Sequence, residues 1–219
     1  MMDKQFELVV FDWDGTLVDS TAHIAASIQA AAKDLDLPVP SDEQARFIIG
    51  LGLTDTMKYL FPEIEETRYG GISARYSYHF LAGNHRIHPF PGTQEMLEGL
   101  RAAGYVIGIA TGKSRRGLNR SLEESGLARF FHITRCADEG FPKPHPGMLL
   151  HLMDEVIAPP ARTLMIGDTT HDVSMAHSAG ARSVAVSYGA HEKEALLAAR
   201  PLDCVDSIAE LANWLRNNG

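Results

Sequence analysis

Short apolar runs recur along this chain at Leu8-Val9-Val10-Phe11, Val106-Ile107-Gly108-Ile109-Ala110, Leu164-Met165-Ile166 and Ser183-Val184-Ala185-Val186, with a weaker one at Phe131-His132-Ile133. Continuous apolar runs of this length are what strands buried on both faces show. Helical patterning fills the intervals over 93–103, 114–125, 146–156 and 172–178, and further helical segments follow the run at 183–186. Strands alternating with helices predict right-handed crossovers and a parallel sheet covered on both faces.

One region breaks the alternation. Between residues 19 and 88 the chain is poor in β-branched runs, and Ala22, Ala25, Ala26, Ile28, Ala31 and Ala32 predict a helix that Pro38 and Pro40 stop. Ser41-Asp42-Glu43 then opens another helix. The expected architecture is α/β, a Rossmann-like parallel-sheet core built from 1–18 and 89–219 with helices on both faces, into which 19–88 is inserted as an all-helical cap domain.

Polar chemistry gathers where the apolar runs end. Asp12 and Asp14 follow the first run, two apart and so on one face of an extended segment, with Gly15 supplying the turn. Two carboxylates held together repel unless a cation or a proton intervenes, and in open α/β sheets ligands sit beyond the carboxyl ends of the strands. An isolated Asp-Gly is commonly no more than a turn, but the feature recurs. The run 106–110 ends in Thr111-Gly112-Lys113; Lys143 lies between prolines in Phe141-Pro142-Lys143-Pro144-His145-Pro146; and 164–166 ends in Gly167-Asp168-Thr169-Thr170-His171-Asp172. Asp168 and Asp172, four apart, share a face if a helix starts there, although a helix cap is the competing explanation for either one. Acids, a hydroxyl and an ammonium group at one sheet edge form an inventory for phosphoryl transfer: a carboxylate nucleophile, a divalent ion to offset charge repulsion, and a lysine to stabilise the transferring group.

Composition narrows the partners. The 219 residues are 45% hydrophobic and 22% charged, ordinary globular values, and the net charge of −8 argues against a nucleic-acid backbone or an anionic membrane as partner. An anionic substrate must then be drawn by local cations. Cys136 and Cys204, without CxxC spacing, suggest neither a disulfide framework nor a thiolate metal site. The start Met1-Met2-Asp3-Lys4-Gln5 lacks an export-signal pattern, and no apolar stretch approaches the about 20 residues a bilayer requires. A cytoplasmic location is expected, and the sequence leaves the oligomeric state open.

In order and spacing these motifs resemble the haloacid dehalogenase-like phosphohydrolases with a helical cap after the first strand, among them the phosphoglycolate phosphatases. Asp12-Trp13-Asp14-Gly15-Thr16 is similar to the first family motif, Thr111 to the second, Lys143 with Pro144 and Pro146 to the third, and Gly167-Asp168 through Asp172 to the fourth. Ala176-His177-Ser178-Ala179-Gly180-Ala181 also resembles the segment that follows the fourth motif. The resemblance implies Asp12 as nucleophile and metal ligand, and Asp14 as acid/base with its backbone carbonyl on the metal. It implies Thr111 and Lys143 as holders of the phosphoryl group, Asp168 as a direct ligand of Mg²⁺, and Asp172 as support for the metal site. Thr169 stands where many relatives have Ser, and Gly112 where some have Asn. In the cap, Ile49-Gly50-Leu51-Gly52-Leu53 is similar to a glycine-containing substrate loop, with a plain inter-helix turn as the alternative.

The function expected is a Mg²⁺-dependent phosphatase for a small phosphorylated metabolite, phosphoglycolate being the first to try. Asp14 argues against a dehalogenase, because a halide needs no protonation on leaving whereas an alkoxide benefits from an acid. Relatives that hydrolyse phosphonoacetaldehyde begin Asp-Trp-Ala and use a cap lysine, to which neither Lys33 nor Lys58 can be matched. A sugar-phosphate mutase on the same core and a non-catalytic regulatory protein on this scaffold are the alternatives. The ten histidines show no spacing that requires a metal. Solvated or supporting positions are expected for His85, His88, His171 and His177, a polar helix position for His23, and packing for Trp13.

Overall fold

The computed structural model describes residues 4–82 and 87–219, so Met1, Met2, Asp3 and His85 lie outside it. Six parallel strands form one sheet in the order β3-β2-β1-β4-β5-β6, namely β1 (Leu8–Phe11), β2 (Val106–Thr111), β3 (Ile133–Cys136), β4 (Thr163–Gly167), β5 (Arg182–Val186) and β6 (Asp203–Val205). β1 is central and wholly buried, paired in register with β2 (Leu8 opposite Val106) and with β4 (Leu8 opposite Thr163). The chain moves outward from β1 to β3 and then returns to β4 on the other side. That reversal opens a crevice at the carboxyl ends of β1 and β4.

Strand alternation sorts the core into two layers. Val9, Phe11, Ile107, Ile109, Leu164, Ile166, Val184 and Val186 face one cluster, covered by α5 (Thr93–Ala102), α6 (Arg115–Ser125) and α10 (Ile208–Asn218) through Leu97, Leu118 and Leu211. Leu8, Val10, Ala110 and Met165 face the other, against Leu149 and Leu152 of α7 (Gly147–Val156) and Met175 and Ala176 of α8 (Thr170–Ser178). A short α9 (Lys193–Ala198) packs beside β5 and β6.

Between β1 and α5 lie α1 (Thr21–Asp34), α2 (Asp42–Phe47), α3 (Leu53–Leu60) and α4 (Tyr69–Ala82). They build a third apolar cluster, with Ile24, Ile28, Ala45, Met57, Phe61 and Ile72 at its centre, and α1 packs along α4. The two connections to this cap run side by side: Val18 bridges Pro89, and the Asp19 N–H donates to the His88 carbonyl at 3.0 Å.

The observed elements differ from the expected ones at their edges. The strand expected over 131–133 starts at Ile133 and runs to Cys136, because Phe131 turns in to pack edge-on against Trp13 while the pairing with β2 begins at Ile133 opposite Gly108. Ser114 and Pro146 cap α6 and α7 instead of joining them, while α8 starts two residues before the expected 172, behind Thr169 as its cap; the Ser114 and Thr169 hydroxyls each accept a free backbone N–H. β6 was not legible as a strand, since Asp203-Cys204-Val205 is only three residues long, at the sheet edge and opened by an acid.

Candidate active site

Every strand of the central trio delivers one site residue as it ends. β1 runs straight into Asp12, whose N–H still donates to the Ile166 carbonyl of β4 at 2.8 Å, so the sheet fixes the backbone of the acid. Thr111 is the last residue of β2 and is buried, its Oγ1 accepting the Lys113 N–H at 3.2 Å and leaving its own proton free to donate. Asp168 follows β4 directly. Lys143 comes from the proline-bounded loop between β3 and α7. That loop folds it into the core and not onto the surface, and the side chain is 0% exposed.

The buried ammonium stands between two carboxylates. Lys143 Nζ lies 2.7 Å from Asp12 Oδ1 and 2.6 Å from Asp172 Oδ1. Asp172 also caps its own helix, its Oδ2 accepting the Thr169 N–H at 3.1 Å and the Thr169 hydroxyl at 2.6 Å. One oxygen of Asp172 thus serves the helix start while the other meets Lys143. Asp168 is held by both oxygens, Oδ1 accepting from the Thr16 hydroxyl at 2.8 Å and Oδ2 from the Ala190 N–H at 2.7 Å. Gly15 passes directly over this carboxylate with φ +76°, where any Cβ would collide with it.

Carboxylate oxygens of Asp12, Asp168 and Asp172, all buried, lie within 4.8 Å of one another. Burial is the largest influence on Asp12; Lys143 pulls against it while Asp172 and Asp14 add to it, and together they push its carboxyl up to about 7. Burial, followed by the Asp12 and Asp172 charges, raises Asp168 well above the usual carboxylate range. Asp12 Oδ2 is buried with no hydrogen-bond partner among the described residues. An all-oxygen donor set, a partnerless carboxylate oxygen and two acids pressed toward protonation fit a hard divalent cation, which would relieve all three. The Thr16 and Ala190 donors fix Asp168 as supporting bonds do in metal sites.

Asp14 stands apart from that cluster. Its Oδ1 accepts the Ser20 hydroxyl at 2.6 Å and meets Lys113 Nζ at 3.0 Å, so its carboxylate faces the cap, and only its backbone carbonyl remains for the metal role expected of it. Trp13, between the acids, points into the opposite layer as expected, its indole N–H donating to Ser121 at 2.7 Å.

The acids open onto a cleft of about 2040 Å³ between core and cap, lined by Asp12, Asp14, Thr111 and Lys113 below and by Tyr76 and Phe80 of α4 above. The cap loop 49–53 borders the same cleft but also seats on the core. A Cβ on Gly52 would lie 2.6 Å from Pro142 Cγ, and one on Gly50 would lie 3.5 Å from Thr169 Oγ1.

A second cap contact was hidden from the sequence. His171 and His191 both donate through Nε2 to the Phe47 carbonyl at the end of α2, at 2.8 Å and 3.1 Å, while His191 Nδ1 accepts the Thr170 N–H at 3.1 Å. Burial lowers both imidazoles' proton affinity, which in His191 suits the neutral ring that its accepting Nδ1 requires. His171 is thus a buried core-to-cap tie, His177 and His88 are exposed, and His23 Nε2 donates to the Phe80 carbonyl at 2.8 Å. Lys113 showed in the sequence only as a cation at a strand end, with nothing to pair it with Asp14, and Ser20 and His191 carried no motif signal.

The family model for haloacid dehalogenase-like hydrolases matches residues 9–186. The chain belongs to this family. Among curated relatives it is 36% identical to "Probable phosphatase IndB" of Dickeya dadantii over 93% of this chain and 91% of that protein. It is 30% identical to the phosphoglycolate phosphatase of Vibrio parahaemolyticus over 96% of each. A solved hydrolase from Pseudomonas syringae superposes with a TM-score of 0.88 at 25% identity, covering 95% of this chain and 97% of that one. As a haloacid dehalogenase-like hydrolase the chain has the expected fold, and no helix among its described residues is long and apolar enough to cross a membrane.

Proposed function

We propose that this hydrolase is a Mg²⁺-dependent phosphatase that removes phosphate from a small monoester, phosphoglycolate or a close analogue, through a phosphorylated Asp12. The observation that carries the reading is Asp12 Oδ2: a buried, partnerless carboxylate oxygen beside an ammonium group and at the floor of an accessible cleft. The relatives named as phosphatases support the reaction class, and those named for phosphoglycolate support the substrate.

Asp12, Asp168 and Asp172 would hold Mg²⁺, with the Asp14 carbonyl, and the ion would neutralise charge between the Asp12 carboxylate and the phosphate dianion. Asp12 Oδ2 attacks phosphorus and the bond from phosphorus to the ester oxygen breaks. The electron pair stays on that oxygen, which takes a proton from Asp14 and leaves as the alcohol. Thr111 donates to a phosphoryl oxygen, and Lys143 offsets charge on the transferring group while keeping Asp12 aimed. Asp14, now a carboxylate, accepts a proton from the water that attacks the phosphorylated Asp12. Inorganic phosphate departs and the Asp12 carboxylate is restored. Residues 19–88 act as the cap that encloses the ester and excludes bulk water.

The test is phosphate release from a panel of phosphate esters with Mg²⁺, comparing wild type with Asp12→Asn. Turnover on small monoesters, lost in the variant, together with a phosphate-mass adduct mapped to Asp12 after rapid acid quench, is the expected result. Near-wild-type turnover by Asp12→Asn with deamidation excluded removes Asp12 as nucleophile. Transfer to a bound sugar phosphate without free phosphate would instead mark a mutase.

A further inference from the structure

Lys113 stands between Asp14 and the cap. Its Nζ lies 3.0 Å from Asp14 Oδ1 with the two side chains 12% and 9% exposed, and the same ammonium sits 4.9 Å from the centre of the Phe80 ring on α4. Phe80 is itself fixed, by Tyr76 at 5.7 Å between ring centres and by the His23 ring at 4.8 Å. On the other side of the carboxylate, Ser20, at the entry to the cap, donates to the same Oδ1 at 2.6 Å. Among the described residues both polar contacts of the Asp14 side chain therefore fall on one oxygen. Oδ2 has no such contact, and Asp14 is part of the cleft lining.

We infer that Lys113 is a positioning residue that, together with the Phe80 ring of the cap, holds Asp14 with Oδ2 toward the leaving oxygen of the ester. The inference rests on the phosphatase reading in which Asp14 is the acid. A lysine ammonium is a flexible point charge on a four-carbon stem, and alone it would fix its partner poorly. An aromatic face gives that ammonium a second attraction, one that strengthens as water is excluded. Because Phe80 belongs to the cap and Asp14 to the core, the acid is fully held only when α4 lies over the site. Proton delivery is thereby confined to the enclosed substrate.

An acid matters in proportion to the basicity of the leaving group: an alkoxide needs protonation and a nitrophenolate does not. The experiment compares kcat and KM on an alkyl monophosphate and on p-nitrophenyl phosphate for wild type, Lys113→Met, Lys113→Arg, Phe80→Leu and Asp14→Asn. Lys113→Met should lower kcat on the alkyl ester on the order of ten-fold more than on the aryl ester, with Asp14→Asn showing a larger bias of the same kind. Lys113→Arg should restore part of the difference, and Phe80→Leu, which keeps the lysine, should show the bias in weaker form. Equal losses on both esters in Lys113→Met, or a change confined to KM as for a residue that binds substrate directly, overturn the inference. Equal losses in Phe80→Leu overturn the role given to the cap. If Asp14→Asn itself shows no leaving-group bias, or wild type releases phosphate from neither ester, the underlying reading fails, an outcome distinct from failure at Lys113 alone.

Discussion

Gly112, just after β2, and Gly50, in the cap loop, meet so closely that a Cβ on Gly112 would lie 2.6 Å from the Gly50 carbonyl oxygen. The atoms such a Cβ would meet belong to the backbone of Gly50 and Leu51 and cannot rotate away. Cap and core share a seam with no space for a side chain, directly beside Thr111. Gly112→Val should therefore hold the cap off the core while both parts keep their own apolar clusters. Misplacement of about 1 Å at an active site costs on the order of 10² in rate, so kcat/KM should fall by roughly that factor with the circular dichroism spectrum preserved. Unchanged kcat/KM would show that the seam is not closed during turnover.

Removing Lys143 leaves Asp12 and Asp172 without their shared counter-charge at a site that is almost wholly buried. Breaking a buried pair from one side costs about 3–5 kcal/mol. Lys143→Met should lose stability on that scale in urea melts of metal-stripped protein, and less at pH 5 than at pH 8, because the raised Asp12 carboxyl can take up a proton as pH falls. A loss no larger than that of a surface lysine would show that the acids rearrange.

Divalent-ion binding should depend on pH in a definite direction. Asp12 moves from 3.8 to about 7 on folding, chiefly through burial, and Asp168 is raised as well. The native state then binds more protons than the unfolded chain between those values, so metal-stripped protein loses stability as pH rises through that window. Mg²⁺ bound at this cluster would replace those protons. Its addition should raise the melting temperature more at pH 8 than at pH 5, and equal gains at both would contradict the carboxylate cluster as its site.

In the cap, Asp34 of α1 accepts from Arg75 Nε at 2.6 Å and His79 Nε2 at 2.7 Å, both on α4. The His79 bond, then the Arg75 bond, holds the Asp34 carboxyl below its ordinary 3.8. A depressed acid contributes stability above its unfolded value and loses it as pH falls through the folded one. Asp34→Asn should speed hydrogen exchange in α1 and α4 at neutral pH, and the difference should shrink as pH falls below the ordinary 3.8. The group is exposed, so the effect should be small and weakened by salt.

The core of this fold was legible because buried parallel strands write themselves as continuous apolar runs, and β1, β2, β4 and β5 all lie where those runs predict. β3 shifted because register with a neighbour, and not local hydrophobicity, sets where a strand begins. Asp12, Thr111, Asp168 and Asp172 could be picked out for the same local reason: each sits where an apolar run gives way to polar residues, and parallel strands end on one edge.

What the sequence by itself determined is the alternation of strands and helices, the inserted helical segment and the set of polar groups brought to one sheet edge, all of which depend on neighbours in the chain. The tertiary structure alone decided that Lys143 is buried between Asp12 and Asp172, and that Lys113 and Ser20 share one oxygen of Asp14. It also decided that His171 and His191 tie the core to the Phe47 carbonyl. The reason is physical: apart from Ser20, six residues from Asp14, these groups lie far from their partners along the chain, and their ion pairs and hydrogen bonds depend on distances set only when the sheet assembles and the cap packs against it.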